Sequence, residues 1–200
     1  NLKSIIFIAP PAAGKGTQSK LVSEKYNIPH ISTGDLLRNV IETGSDLGKS
    51  IKAEIDKGHF VSDELILELL KQRLNQDDCN NGYILDGYPR NIEQAKQYEE
   101  MLKELNKELG IVIYLDIDKE VAMKRIVGRV SCSNCGTVYN EMFEETKPLK
   151  DGVCDKCNSE LVRRADDNEE TFNTRFETYI NKTQALIDYY ESTGSLYRIN

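Results

Sequence analysis

The chain has 200 residues, of which 39% are hydrophobic and 30% are charged, and this is the composition of a folded globular protein. Aspartate and glutamate outnumber lysine and arginine by 33 to 26, so the formal net charge is −7. This acidic balance argues against a broad basic surface for nucleic acid or for an anionic membrane. The sequence also contains no apolar run long enough to span a bilayer. We therefore expect one main domain that binds neither, and any phosphate ligand must be held by a local pocket.

Strands and helices are predicted to alternate along most of the chain. Apolar runs rich in β-branched residues predict buried strands at residues 4–8, 28–31, 83–86, 111–115 and 196–199. Helical patterns and cap signals predict helices at 17–26, in two stretches between 33 and 58 that break near Gly44, from Ser62 onward, and at 92–107, 121–130 and 169–191. This alternation indicates an α/β fold with a mainly parallel sheet and helices on both faces.

Residues 131–163 differ from the rest of the chain, because they lack a helical period and instead contain glycine, proline, asparagine and four of the five cysteines. Such a segment is too short to be stabilised by a hydrophobic core alone. We interpret it as a small inserted domain that needs an additional constraint.

Four cysteines provide that constraint: Cys132, Cys135, Cys154 and Cys157 form two C-x2-C pairs that are eighteen residues apart. Two such pairs complete a tetrahedral site, and four thiolates leave no open position, so structural zinc is predicted. The alternative is a set of bare or redox thiols. Disulfides fit poorly, because the short apolar start lacks the basic flank of a secretory signal and a cytoplasmic location is expected. Cys79 stands apart and is interpreted as a bystander.

The segment after the first predicted strand has the features of a phosphate loop. Its backbone amides would surround phosphate oxygens, a lysine would meet the β- and γ-phosphates, and a hydroxyl would lie near the metal. The strict motif fails twice, because Ala9 replaces its first glycine and Gly16 stands where serine or threonine is expected. A plain strand-to-helix turn is the alternative. The candidate ATP-binding residues of the loop are Ala12, Ala13, Gly14, Lys15, Gly16 and Thr17.

A second candidate is Asp86, which ends a predicted buried strand and is followed by Gly87, Tyr88, Pro89 and Arg90. A carboxylate there can hold a Mg²⁺-bound water beside a phosphate loop. The alternative is that Asp86 caps a turn before Pro89. Lys15 and Arg90, taken together with Asp86, favour the metal site.

Four motifs in this order resemble adenylate kinases over essentially the whole chain: residues 14–17 (GKGT), 32–38 (STGDLLR), 86–90 (DGYPR) and 163–171 (RRADDNEET). The match is to the bacterial form with a long lid in which four cysteines bind zinc. The resemblance implies a fold like that of P-loop nucleoside triphosphate hydrolases and reversible transfer from MgATP to AMP, giving two ADP. It also implies three parts: a core at 1–31, 62–127 and 168–200, an AMP-binding insert at 32–61, and a zinc-binding lid at 128–167.

The resemblance also assigns roles to individual residues. It implies an AMP site at Thr33, Gly34, Arg38, Arg90, Gln94, Arg164 and Arg175, and it adds Arg125 and Arg129 to the ATP site. The implied catalytic set is Lys15, Arg90, Arg125, Arg129, Arg164 and Arg175. Arginine forks suit a monophosphate, and an amide can meet the adenine edge. Asp166 and Asp167 are expected to couple lid closure to the arginines, and the alternative is that they are a surface carboxylate pair. For Arg38 the alternative is a solvated helix face, and for Gln94 it is a polar position on a helix.

Some alternatives to an active adenylate kinase stay open. Family members usually carry glycine where this chain has Ala9 and Ala12, and a methyl group there could crowd the phosphates, which would leave an inactive nucleotide-binding module. A kinase for UMP, CMP or GMP is another candidate, although Gln94 and the cysteine-bearing lid favour AMP. A zinc-ribbon nucleic-acid binder is weaker, because the insert lacks a basic stripe with aromatics. His30 and His59 are interpreted as structural or surface residues, and a monomer is expected.

Overall fold

The structure, a computed structural model, describes residues 4–10, 15–59 and 61–199, and the chain divides into two compact units. The first unit takes in residues 1–9, 14–115 and 182–199, and the second takes in 10–13, 116–181 and 200. The predicted division into a core, an AMP-binding insert and a lid stays a prediction.

The first unit is built on a parallel sheet, which has five strands in the described part of the chain. Their spatial order is β2-β3-β1-β4-β8, and every neighbouring pair is parallel. The prediction of an α/β fold with a parallel sheet between helices is confirmed. The strands are β1 (Ser4–Ile8), β2 (His30–Ser32), β3 (Tyr83–Asp86), β4 (Ile111–Leu115) and β8 (Leu196–Ile199).

The helices begin where short polar side chains can accept from the backbone amides of the first turn. Ser32, Ser45 and Ser62 each accept from the amide three residues further on. The predicted break near Gly44 and the predicted start at Ser62 are confirmed. The described helices are α1 (Lys15–Tyr26), α2 (Thr33–Glu42), α3 (Asp46–Asp56), α4 (Asp63–Leu74), α5 (Ile92–Glu104), α6 (Lys119–Val127) and α7 (Glu169–Ser192), with a short 3-10 helix at Asp77–Cys79.

The central strands are buried on both faces, which explains their continuous apolar sequences. All five residues of β1 are buried, and Ile84 and Leu85 of β3 are inaccessible to solvent. Gly110 precedes β4 and permits a close approach to β1, because a Cβ atom there would lie 1.9 Å from the Ser4 carbonyl oxygen. The sheet is therefore a rigid support for the side chains that follow its strands.

The second unit contains an antiparallel sheet in the order β6-β5-β7, together with α6 and the first part of α7. Its strands are β5 (Arg129–Cys132), β6 (Val138–Asn140) and β7 (Leu161–Val162). One face of the sheet packs into a small core that includes two of the clustered cysteines: Val130, Cys132, Tyr139, Cys154 and Leu161. The core is small, as expected for an insert that needs a further constraint.

Some predicted boundaries are wrong. The helix predicted at 121–130 ends at Val127, and Arg129 and Val130 belong to β5. Gly128 ends the helix beside β6, where a Cβ atom would lie 2.2 Å from the Asn140 side-chain oxygen. Pairing with β6 and β7 therefore overrides the local helical pattern. Smaller shifts occur at α1, which starts at residue 15, at β2, which covers 30–32, and at α5, which ends at 104.

In the described part of the chain, every helix is too short or too polar to cross a bilayer.

Candidate active site

Three charged or titratable side chains meet at the carboxyl edge of the parallel sheet. Asp86 ends β3, Lys15 begins α1 after β1, and His30 begins β2. The Lys15 Nζ lies 2.5 Å from Asp86 Oδ1, and the His30 Nε2 lies 3.0 Å from Asp86 Oδ2. The side chain of Asp86 is only 14% exposed, so its charge needs these partners. The edge thus carries a cation beside a carboxylate, which suits a phosphate and its metal.

His30 is a site residue that sequence reasoning missed, because it was interpreted as structural or surface. It lies beside Asp86 because β2 and β3 are neighbours in the sheet. No spacing in the sequence shows that two strands 50 residues apart are paired, so the sequence carried no signal for this contact.

A cavity of about 200 Å³ lies within the same unit. Four of the residues predicted to bind AMP line it: Thr33, Gly34, Arg90 and Gln94. Its apolar wall includes Leu37, Ile55, Val61, Ile66 and Tyr88. The cavity therefore combines an apolar wall with a few polar groups, among them His59, as small-molecule sites do.

The loop between β3 and α5 positions the polar groups of this cavity. Gly87 has a φ of +77°, a conformation that glycine adopts without strain, and its carbonyl accepts from Arg90 Nε at 3.1 Å. The Gln94 side chain is buried and accepts from the backbone amide of Arg90 at 2.8 Å. Burial raises the pKa of Tyr88, so its hydroxyl stays protonated beside the Gln94 carbonyl.

Arg38 is not among the residues that line the cavity. Its guanidinium is 65% exposed and pairs with Asp35 on the same helix, and this contact holds the pKa of Asp35 below its usual range. It lies near Gly34, since a Cβ atom on Gly34 would be 3.2 Å from Arg38 Nη1. Gly34 thus leaves room for this guanidinium.

The second unit contains its own cavity, of about 380 Å³, and the predicted ATP-binding residues Arg125 and Arg129 line it. Three side chains of the β6 region, Tyr139, Asn140 and Phe143, also line it. An aromatic wall beside two guanidinium groups suits a nucleotide, whose base stacks and whose phosphates carry negative charge.

Two adjacent carboxylates hold two of the predicted arginines. Asp167 is 4% exposed, and both of its oxygens accept from the Arg129 guanidinium at 3.0–3.2 Å. Asp166 is exposed and pairs with Arg175 at 3.2 Å. Arg164 is also exposed, and its carbonyl accepts from the Asp167 amide at 3.1 Å. The segment of residues 164–167 thus contains Arg164 and contacts Arg129 and Arg175 through its two carboxylates.

The four clustered cysteines lie with their sulfur atoms within 4.8 Å of one another. The Cys132–Cys157 and Cys135–Cys154 sulfur pairs are 3.4 and 3.6 Å apart. A tetrahedral site with metal–sulfur bonds of ~2.3 Å needs sulfurs about 3.8 Å apart, so the group fits zinc.

Hydrogen bonds favour the thiolate at two of the four cysteines, Cys154 and Cys157, whereas the pKa of Cys132 is raised. Hydrogen bonds from Ser159, first from its side chain and then from its backbone, lower the pKa of Cys157 to about 5. The Tyr139 hydroxyl lowers the pKa of Cys154. By contrast, burial raises the pKa of Cys79 to about 11, and this thiol bonds to Arg73, in agreement with its interpretation as a bystander.

Comparison with known proteins decides the family. The sequence model of the family described as adenylate kinase matches residues 7–195. The chain belongs to the adenylate kinase family. An adenylate kinase of Archaeoglobus fulgidus is 49% identical over 197 residues, which cover 98% of this chain and 90% of that protein. Adenylate kinases of a Geobacillus species and of Nitrosococcus oceani are 46% and 47% identical over 98% of this chain and 90% and 89% of theirs.

Membership in the adenylate kinase family confirms the resemblance that the four motifs indicated, together with the assignment as a nucleoside monophosphate kinase. The roles of individual residues stay predictions. The candidate residues Ala12, Ala13 and Gly14 lie outside the described residues.

The two carboxylates beside the arginines lead to a stability prediction. We expect Asp167→Asn to lower the free energy of unfolding by about 1–3 kcal/mol, because it weakens a buried, doubly hydrogen-bonded pair with Arg129. The matched control is Asp166→Asn, whose exposed pair with Arg175 is expected to contribute little. Urea unfolding measures both. Equal effects in the two variants would contradict the importance of burial at Asp167.

Proposed function

We propose that this chain catalyses the reversible transfer of a phosphoryl group from MgATP to AMP, giving two ADP. The observation that carries the proposal is the Lys15–Asp86 pair at the carboxyl edge of the sheet, in the same unit as the cavity of Thr33, Arg90 and Gln94. An adenylate kinase needs a cation for the ATP phosphates and a separate pocket for the acceptor nucleotide, and these features provide both.

The proposed chemistry depends on position and charge. An oxygen of the AMP phosphate bonds to the γ-phosphorus of ATP while the bond from that phosphorus to the bridging oxygen breaks, and the oxygen leaves as part of ADP. The protein forms no covalent bond to the transferred group in this scheme. Its side chains align the two nucleotides and neutralise the negative charge of the phosphates.

Each candidate residue has a role in this scheme. Lys15 meets the β- and γ-phosphates, with the backbone of Ala12, Ala13, Gly14, Gly16 and Thr17 around them. Arg125 and Arg129 bind ATP, whereas Thr33, Gly34, Arg38, Arg90 and Gln94 bind AMP. Arg164 and Arg175 neutralise charge on the transferred group and on the AMP phosphate. Guanidinium groups suit this purpose, since they stay charged and form two parallel hydrogen bonds to a phosphate.

Mg²⁺ would bind with ATP, and Asp86 would hold one of its waters. A half-buried carboxylate at the end of a parallel strand, with an oxygen already facing a lysine, fits a hard cation that keeps most of its hydration shell. When bound, the ion neutralises charge on the β- and γ-phosphates. His30 Nε2–H would donate to the other Asp86 oxygen and hold the carboxylate in place.

The division into core, AMP-binding insert and lid is part of the proposal. Residues 32–61 and 128–167 would close on bound nucleotide, which excludes the water that would otherwise accept the phosphoryl group. Zinc on Cys132, Cys135, Cys154 and Cys157 would stabilise the lid. We further propose that the protein is cytoplasmic, because a reducing compartment suits thiol ligands. We also propose that it is a monomer, and light scattering of the purified protein tests this oligomeric state.

A coupled assay with MgATP and each nucleoside monophosphate tests the function. We expect turnover with AMP and little with UMP, CMP or GMP. Lys15→Met should lower kcat by about 10²–10³-fold with little change in melting temperature, because a phosphate contact is lost and no core residue changes. Lys20→Met, on the exposed face of α1, is the matched control and should keep wild-type turnover. Absence of AMP turnover in the wild-type protein would refute the proposal and would favour an inactive nucleotide-binding module.

Metal analysis of anaerobically purified protein tests the zinc site. We expect one equivalent of zinc, and we expect chelation to lower the melting temperature by at least about 5 °C, because metal binding contributes directly to folding. Cys154→Ala should lose the metal, whereas Cys79→Ala, outside the cluster, should keep it. A melting temperature that stays constant after confirmed metal removal would count against a structural role.

A further inference from the structure

We propose that Asp63 is a positioning residue that sets the base specificity of the monophosphate cavity. By fixing the orientation of the Gln94 side-chain amide, it makes the cavity accept a 6-aminopurine and reject a 6-oxopurine. This inference rests on the proposed function, because it requires that the base of the monophosphate lies against Gln94.

Two hydrogen bonds hold the Gln94 amide, which is 6% exposed. Its oxygen accepts from the backbone N–H of Arg90 at 2.8 Å, and its nitrogen donates to Asp63 Oδ1 at 2.8 Å. The backbone N–H can only donate, and an ionised carboxylate can only accept. Turning the amide by 180° would place donor against donor and acceptor against acceptor, so the two partners permit one orientation.

The position of Asp63 suits this role. It is the first residue of α4, directly after the cap Ser62, where acidic side chains are common in helices because of the helix dipole. It is half-buried and lies 31 residues from Gln94 in the sequence. In the described part of the chain the Gln94 amide bonds to Asp63 and not to the next residue, Glu64, which is exposed although it lies on the same helical turn.

One N–H and one oxygen lone pair of the Gln94 amide stay available after these two bonds are made. Adenine presents an amino donor next to a ring-nitrogen acceptor. Hypoxanthine and guanine present an oxygen acceptor next to an N–H donor, which is the reverse order. An amide of fixed orientation can match only one of these edges.

The surroundings of the amide make a mismatch costly. Leu37, Ile55 and Ile66 line the same cavity and offer no polar group to a wrongly paired base, and the other polar side chains of the lining are those of Thr33, His59, Tyr88 and Arg90. Polar groups left without partners in such a site account for strong discrimination between closely similar substrates. The discrimination fails if the amide can turn, and Asp63 supplies one of the two contacts that prevent it.

Kinetics with AMP and IMP test the inference, because these nucleotides differ only at the 6-position edge. In Asp63→Ala we expect the ratio of kcat/KM for AMP to that for IMP to fall at least about tenfold. The KM for AMP should rise about five- to tenfold, while kcat and the KM for MgATP stay within about twofold. If IMP turnover is too slow to measure, its inhibition constant against AMP replaces kcat/KM.

Two further variants separate positioning from stability. The Asp63→Asn side chain has nearly the same shape but offers both a donor and an acceptor, so this variant should lower the ratio of kcat/KM for AMP to that for IMP by a smaller factor than Asp63→Ala. It keeps the inference testable if Asp63→Ala does not fold. Glu64→Gln removes one negative charge from the same turn and should leave the ratio and the KM for AMP unchanged. A structural effect alone would change the melting temperature and both substrate KM values without changing the ratio.

An unchanged ratio in folded Asp63→Asn and Asp63→Ala would overturn the inference, as would an equal change in Glu64→Gln. Either result, obtained with normal AMP turnover in the wild-type protein, would leave the proposed function intact. Lack of AMP turnover in the wild-type protein would instead refute the function itself, so the two failures are distinguishable.

Discussion

Parallel pairing of β3 with β1 and β2 is the constraint on which the candidate site of the first unit depends. The carboxyl ends of parallel strands lie at one edge of a sheet, so the residues that follow them are brought together whatever their distance in sequence. Asp86, which ends β3, therefore lies beside Lys15, which begins α1 after β1, whereas the His30 side chain reaches Asp86 from the first position of the neighbouring β2. A carboxylate that is 14% exposed would be costly alone, and the cation beside it offsets this cost. The edge of the sheet thus holds a cation beside a carboxylate.

In the second unit, too, charged side chains of opposite sign are paired. The protein is acidic overall, yet several arginines are concentrated in this unit, where they would repel one another without carboxylates between them. Asp167 and Asp166 hold Arg129 and Arg175, and Glu141 pairs with Arg163 at 2.5 Å. An acidic composition is thus compatible with a protein that binds polyphosphates, because acidic side chains orient the basic ones. The net charge excluded a broad basic surface, but it did not exclude a local arginine site.

Comparison of particular elements shows where sequence reasoning succeeds. The strands β1, β3 and β4 were predicted from their apolar runs, because burial on both faces leaves a clear pattern in the sequence. The end of α6 was predicted wrongly, because Arg129 and Val130 pair with Asn140 and Tyr139 of β6, which lie outside the local helical pattern. Site residues follow the same rule. Thr33 and Arg90 were predicted from motifs and Gln94 from the family resemblance, whereas the contacts of His30 and Asp63 carry no local signal, since their partners lie in other elements.

The sequence by itself determined the alternation of strands and helices, the four-cysteine cluster, the motif residues and the family. Each of these follows from local composition or from the spacing of residues close together in the chain. Only the tertiary structure decided the strand order, the pairing of Asp86 with Lys15 and His30, and the bond between Gln94 and Asp63. The physical reason is that hydrogen bonds and ion pairs act over a few ångströms. Which residues come that close is settled by how the sheet and helices pack, and not by their separation along the chain.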